Sequence, residues 1–478
     1  MIANTIFQVL YGRLSDALGR KVVFLTAVGL LSLGTLACSF AQTGPQLYVF
    51  RGVSGVGTGG ITALAMMIVS DVVTLENRGK YQGILGACVG LGSTVGPFLA
   101  AGFISTSSWR ALYWTISPLA FLSGMIVAWI LPPSKTTGRW QDKLRTIDYW
   151  GLLTSSASLL LLLIPISGGG TYFEWTSPMV ISMLTLGSVA FILFLVIEWK
   201  FAQMPMMPLY AFRNPPVCAI IIQHFLYGVV YYSHLYFLPI YYQNVRQYSV
   251  LRAATLTIPL VVSQAVFSTL SGLYISRFKR YGEIIWSGYT IWFVASGLLL
   301  LFNRTIKPWA MVLILICEGI GVGFVFQPSL IAAQAHSSKN DRAVVISVRS
   351  FIRALGGAFG LAVSSAIFSN KLNASTTALP QSIRNQVRQI NLGVPDVSRY
   401  NPQQASLVLD AYAAASHTTF LSWVPFMGVC LLLCFLIKDR GLQLKEEKPA
   451  DASSIEEAVE VSDTGRVNQE DRMEKGGP

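Results

Sequence analysis

From Gly83 to Gly102 the chain runs twenty residues without a charge, and six of them are glycine, at 83, 86, 90, 92, 96 and 102, with Pro97 among them. Length and polarity suit a helix that crosses a bilayer, which needs about 20 apolar residues. Composition argues against the same helix in water, where each interior glycine costs ~1 kcal/mol and a proline ~3 kcal/mol. Lipid removes the conflict, because an unwound segment there has no water for its backbone groups. Gly86 and Gly90, and Gly92 and Gly96, stand four residues apart, so each pair presents a flat patch on which a second backbone can close. Gly96-Pro97 lets such a rod bend. GxxxG pairs alone mean no more than helix packing.

The remainder of the 478 residues agrees with a membrane setting: 53% are hydrophobic, mean hydropathy is +0.54, and only 12% are charged, against about 25% in a soluble protein. Uncharged apolar spans recur at about 22–41, 46–70, 82–104, 111–131, 149–167, 178–198, 216–241, 254–275, 284–302, 309–333, 344–368 and 419–437. These predict an all-α polytopic membrane protein of twelve full spans, preceded by an opening stub at 1–11 too short to cross alone. The net charge of +12 follows the loops. Alternate loops are basic, beginning with Arg13, Arg20 and Lys21 and ending with Lys438 and Arg440, which puts them and the carboxyl-terminal tail in the cytoplasm and excludes a nucleic-acid reading. Outer loops are nearly neutral early on, although Arg246, Arg252, Arg304 and Lys307 weaken the contrast later. The two N-x-S/T sequons, at Asn303 and Asn373, fall on the outer side, as glycosylation requires. No Ser-His-Asp set, paired acids, Walker loop or metal-type cluster is present, so neither an enzyme nor a bound metal or cofactor is expected. The six cysteines all lie in apolar stretches, where structural disulfides are not expected.

Domain organisation is expected as a bundle over 1–131, a cytoplasmic linker and two further membrane helices over 132–215, a second bundle over 216–440 with an outer loop at 369–418, and a disordered tail over 441–478. Within the outer loop, 403–417 reads as a short amphipathic helix. Gly12 to Arg20 spans the same interval as Gly272 to Arg280, with Ser276 where the first copy has Asp16. Both copies lie in cytoplasmic loops, which points to two parallel, pseudo-symmetric halves.

Three motifs in the first hundred residues carry a resemblance. Gly12-Arg13-Leu14-Ser15-Asp16-Ala17-Leu18-Gly19-Arg20-Lys21 resembles the loop motif of major facilitator transporters. Leu47 to Gly57 resembles their fourth-helix motif around Arg51, with Ser54 in place of glutamine. Gly83, Gly92, Gly96 and Pro97 match the antiporter motif of their exporters, ending in Ala100-Ala101 where the family has two glycines. Ile147–Gly151, Gly319–Pro328 and Phe351–Ala358 extend the likeness, so that over about residues 1–440 the chain is similar to the fourteen-helix drug:proton antiporters of fungi.

The resemblance implies a major facilitator fold of two bundles plus two extra central helices, and a monomer exporting drugs, toxins or secondary metabolites across the plasma membrane, or else the vacuolar membrane, in exchange for protons. It also implies a first helix with an acidic motif, which this sequence lacks because Met1 falls inside the family's second helix; a gene model that begins too late is the favoured account. A siderophore-type uptake carrier and a transport-dead truncated paralogue are the alternatives.

Some residues stand out on physical grounds. Asp16, with Arg13, Arg20 and Lys21, is the clearest polar cluster, and its carboxylate precedes a helix whose amino-terminal N–H groups it can cap; a positive-inside anchor accounts for the bases alone. By resemblance, Gly12, Asp16, Gly19, Arg20 and Lys21 form a gating latch. Arg51 lies inside a span near its outer end, where a guanidinium either has a function or snorkels to the surface. Glu318 is the most isolated ionisable group of any span, and a carboxyl there can take up and release a proton. Arg51, by resemblance, and Glu318 are thus the proton-coupling candidates. His224, Tyr231, His234 and Gln327 are the candidates for a cavity that receives an aromatic or amphiphilic substrate, against an interfacial aromatic belt or plain hydrogen-bonded core.

Overall fold

The computed structural model describes residues 2–73, 75–132, 149–168, 173–201, 214–337, 342–377, 379–437 and 439; the side chains of Arg13 and Asp16 lie outside the described set, as do Ile147-Asp148 and the whole of 440–478. Among the described residues every regular element is a helix. The first five are α1 (Ile2–Leu18), α2 (Arg20–Ser39), α3 (Gly44–Val72), α4 (Leu75–Thr106) and α5 (Trp109–Ile130). A central pair follows, α6 (Tyr149–Gly168) and α7 (Pro178–Lys200). The remaining helices are α8 (Pro215–Asn244), α9 (Val250–Phe278), α10 (Gly282–Leu298), α11 (Pro308–Phe326), α12 (Pro328–Ala335), α13 (Arg342–Ser375), α14 (Gln381–Ile390) and α15 (Pro402–Leu433). Among the described residues twelve stretches are long and apolar enough to cross a membrane, matching the hydropathy spans one for one.

Local chemistry sets the ends. Thr43 and Gln46 form a reciprocal capping box at the start of α3, and Ser108, Ser177 and Ser249 cap α5, α7 and α9; each side-chain oxygen satisfies an N–H the helix leaves unpaired. Pro97, Pro118, Pro165, Pro239, Pro259 and Pro425 sit inside helices that nonetheless continue, as transmembrane helices permit. The expected tight loop at 12–21 is mostly helix: α1 runs to Leu18 and the break is the single residue Gly19, whose φ of 93° a side chain would strain. The outer segment is also shorter than expected. α13 extends to Ser375 and α15 begins at Pro402, so 403–417 belongs to a membrane helix and the amphipathic helix is α14. Its Ile383 and Val387, one turn apart, are buried.

Two groups of helices pack among themselves: α2 with α3 and α5, and α1 with α3; then α8 with α13 and α15, and α9 with α11, which also holds α10. They meet along two seams. α1 lies on α13, and the glycine-rich α4 lies along α9. At the second seam a Cβ on Gly83 would stand 3.2 Å from the Thr269 Cα, and one on Gly90 would stand 2.6 Å from the Ala265 Cβ. Thr269 Oγ1 donates to the Gly83 carbonyl across it at 3.3 Å. The rod of residues 83–102 therefore faces the junction of the two helix groups with its first half. Its second half differs from the expectation: Gly92 and Gly96 meet nothing within 4 Å, and Pro97 is exposed. The flat patch in use is Gly83–Gly86–Gly90 alone.

Gly90→Leu is expected to lower the melting temperature of the purified protein by the equivalent of about 1–3 kcal/mol, since a side chain must be forced between two backbones. Gly92→Ala and Gly96→Ala are expected to hold or raise it, by up to ~1 kcal/mol each, because alanine is the better helix former. Thermal unfolding in detergent followed by intrinsic fluorescence measures both.

Candidate functional site

The charged interior is organised by α8. His224, Tyr227, Tyr231 and His234 follow one another at intervals of three, four and three residues and are all buried, so they line one face of the helix. The two histidines are ~15 Å apart along it.

At the outer end of this stripe, His234 Nδ1 meets the Glu318 carboxylate of α11, with both side chains essentially inaccessible. Among the described residues neither group has another hydrogen-bond partner. The Trp423 ring of α15 packs 4.3 Å from the imidazole, and its Nε1 donates to Ser364 Oγ. A carboxylate sealed in apolar surroundings is tolerated only when paired or protonated. The pair can share a proton, or release it when the two groups part. Midway along the stripe, the Tyr231 hydroxyl donates to Gln264 Oε1 of α9 at 2.8 Å.

At the inner end a helix breaks. α11 stops at Phe326 and α12 starts at Pro328, which has no N–H. Leu330 N donates to the Gln327 carbonyl instead of reaching back to Phe326. The freed Phe326 carbonyl accepts from the Arg349 guanidinium of α13. Arg349 Nε also donates to His224 Nε2 at 2.8 Å, while His224 Nδ1 lies 2.8 Å from the Ile220 carbonyl. The imidazole is therefore the neutral tautomer protonated at Nδ1. Ser329 Oγ completes the knot, 3.0 Å from His224 Nε2. One turn further along α13, Arg353 Nη1 donates to the Tyr232 hydroxyl at 2.6 Å. Both guanidiniums lie 5.4 Å from the centre of the Phe326 ring. Arg349 is 1% exposed and Arg353 7%, and neither forms an ion pair among the described residues. Burying a charge this way costs several kcal/mol per ion even after relaxation.

The amino-terminal helices hold the gating candidates. Arg20 Nε pairs with Asp71 near the carboxyl-terminal end of α3 at 2.9 Å, its Nη1 donates to Ser15 Oγ, and Ser15 Oγ donates to the Gly12 carbonyl. Gly19 supplies the turn between them, and Lys21 opens α2 half-buried. Asp16 lies outside the described side chains. Arg51 is exposed on α3, with its guanidinium 5.8 Å from the Tyr113 ring centre. It belongs to the other helix group from Glu318, and the structure brings no contact between them.

Of the cavity candidates, His224, Tyr231 and His234 share the α8 face. Gln327 sits apart at the helix break, where its amide approaches Gly86 of α4 and has no hydrogen-bond partner. Asn303 is exposed between α10 and α11, and Asn373 is half-buried in the last turn of α13. Sequence reasoning missed Arg349, Arg353 and Asp71. The two arginines lie inside the 344–368 span, so the rule that flags an intramembrane charge at Arg51 and Glu318 would have found them too.

Two helix groups that meet along seams, one of them burying an acid–histidine pair and two arginines, are the architecture of a polytopic membrane transporter. Residues 1–361 match the family profile described as Major Facilitator Superfamily, and the chain belongs to that superfamily. It is 48% identical over 459 residues to "Citrate exporter 1" of Yarrowia lipolytica, covering 96% of this chain and 68% of that relative. It is 37% identical over 444 residues to "MFS-type transporter clz4" of Cochliobolus lunatus (93% and 78%), and 26% identical over 483 residues to "Efflux pump FUS6" of Gibberella moniliformis (96% and 85%). Among solved structures, the human organic anion transporter MFSD10 superposes with a TM-score of 0.57 at 15% identity, covering 91% of this chain and 81% of that one. The proton:xylose symporter XylE gives 0.55 at 13% identity, covering 91% and 85%. At these identities the likeness is one of fold.

His234→Ala is expected to cost about 3–5 kcal/mol of stability at neutral pH, because it leaves the Glu318 carboxylate buried without a partner. Glu318→Leu combined with His234→Phe is expected to recover most of that loss. Melting temperatures of the three proteins in one detergent provide the check.

Proposed function

We propose that this chain is a secondary active exporter of small organic compounds, organic acids foremost, which releases its cargo across the plasma membrane in exchange for protons. The observation that carries the reading is the Glu318–His234 contact: a carboxyl and an imidazole, inaccessible and without other partners, on two different helices of one group. Such a pair gains and loses a proton whenever its two helices shift, which is what exchange transport requires. The relative named for citrate export supports the organic acid, and the efflux pump supports the outward direction. The fourteen-helix drug:proton antiporter group remains the subfamily we infer, from the antiporter spacing of Gly83, Gly92, Gly96 and Pro97.

In this reading the helices of 1–131 and 216–440 act as the two halves of a monomeric carrier, with 132–215 joining them. The glycine face of α4 slides on α9 as the halves rock. Asp16, Gly19, Arg20 and Lys21, together with Asp71, hold the cytoplasmic end shut in one state. Arg51 serves the proton route from the amino-terminal side.

The test uses inside-out membrane vesicles from cells expressing the chain with any residues its gene encodes ahead of Met1. An imposed gradient, acid inside, is expected to drive uptake of labelled citrate, and a protonophore is expected to abolish it. Glu318→Gln is expected to reduce gradient-driven uptake at least tenfold while gradient-free exchange of citrate for citrate persists. Uptake insensitive to both the gradient and the substitution would overturn the proposal.

A further inference from the structure

We propose that Arg349 and Arg353 form a binding site for a compact polycarboxylate, whose anionic groups supply the counter-charge that the protein itself withholds. Two guanidiniums, each more than nine-tenths buried, stand four residues apart on one face of α13. A guanidinium keeps its proton, so neither can escape the cost of burial by becoming neutral. Like charges at this helical spacing repel, yet no carboxylate pairs with either among the described residues.

A purely structural role explains part of the arrangement. Arg349 caps the Phe326 carbonyl freed by the helix break and orients His224; Arg353 holds the Tyr232 hydroxyl. It leaves donors over. Arg349 Nη1 and Arg353 Nε have no hydrogen-bond partner, and a neutral side chain such as glutamine could cap a carbonyl without importing a charge. One unused donor on each of two cations, with positions about 6 Å apart on the helix, suits a ligand carrying two or more carboxylates separated by a few carbons. His224 contributes a neutral ring that holds Arg349 in place without adding to the positive charge.

The site is also placed to sense the seam. Phe326, which lies under both guanidiniums, is followed by Gln327, whose amide reaches Gly86 of α4 and lacks a partner, as does Ser268 Oγ beside it. Polar groups without partners thus run from the cation pair to the α4–α9 junction, the direction from which a charged ligand can enter. Helices α8 and α13 leave no gap on their own side, because Gly228 lies against the Arg353 carbonyl and Gly356 against that of Phe225. This inference rests on the export reading only for the direction of release.

The experiment is direct binding to the purified full chain in nanodiscs, by calorimetry and thermal shift, with citrate, succinate and the uncharged triethyl ester of citrate. Citrate is expected to bind and raise the melting temperature, succinate more weakly, and the ester not at all. Arg349→Gln and Arg353→Gln are each expected to weaken citrate binding at least tenfold, with lysine at either position intermediate. In the absence of ligand the glutamine variants are expected to melt no lower than the parent, since an uncompensated charge has been removed. Should Arg349→Gln fail to fold, Arg353→Gln, whose guanidinium bonds to the Tyr232 hydroxyl rather than to the freed carbonyl, and the citrate-versus-ester comparison on the unmodified chain still decide. Equal citrate affinity in parent and Arg353→Gln, or binding of ester and citrate alike, overturns the site. Citrate binding without proton-driven uptake upholds the site and removes only the coupling. Proton-driven transport of a neutral compound by a chain that does not bind citrate overturns the site and leaves the exporter.

Discussion

Backbone amides cannot be left unpaired in hydrocarbon, and the interior of this protein is arranged around a place where a membrane helix stops inside its span. Pro328 ends α11 within a span, and Leu330 N turns to the Gln327 carbonyl, which leaves the Phe326 carbonyl without its helical donor. Ser329 Oγ reaches that carbonyl at 3.3 Å, and a second donor comes from another helix, the Arg349 guanidinium. Once Arg349 is buried for that purpose, His224, Ser329 and Phe326 are fixed by contact with it. The inner part of the carboxyl-terminal group then becomes a positively charged region enclosed by aromatic rings. The outer part carries the opposite sign at Glu318, held by a histidine from the same face of α8. One helix therefore positions both charged centres, and its tyrosines fill the space between them.

How the halves meet follows from residue size rather than from charge. Gly83, Gly86 and Gly90 let α4 approach α9 closely enough that a threonine hydroxyl bonds to a carbonyl across the junction. Close packing of this kind holds helices together in lipid, where burial of apolar side chains gives no advantage. Beyond Gly90 the glycines no longer serve the contact: Gly92 and Gly96 meet nothing within 4 Å and Pro97 is exposed, although Ala101 further on is buried. A crevice of about 370 Å³ lined by Ala87, Gly90, Leu91, Val262, Ala265 and Thr269 runs along the junction.

Much of this was legible in the chain. Hydropathy located every full membrane span, because lipid imposes one length and one polarity on each of them. The glycine spacing of 83–102 announced a helix meant for close contact, although not which half would make it, since that depends on the partner's side chains. Glu318 and His234 were both singled out, but not as each other's partner: they are 84 positions apart, and pairing at that distance is a property of the fold. The boundary of the outer segment was misjudged because Gln403, Gln404 and Asp410 make the first turns of α15 look like a separate polar helix. Arg349 and Arg353 lie inside a span that hydropathy located, and were passed over although an intramembrane charge there is as notable as Arg51 or Glu318.

The glycine crossing of α8 and α13 has a mechanical counterpart on the other side of the group. Gly319 and Gly323 press α11 against the backbone of α9 at Leu260, Gln264 and Ser268, so α9 with α11 is one close-packed plate and α8 with α13 another. His234 is carried by one plate and Glu318 by the other. A displacement of one plate against the other would change the distance between that acid and that base, so the gap would serve as a gauge of their relative position.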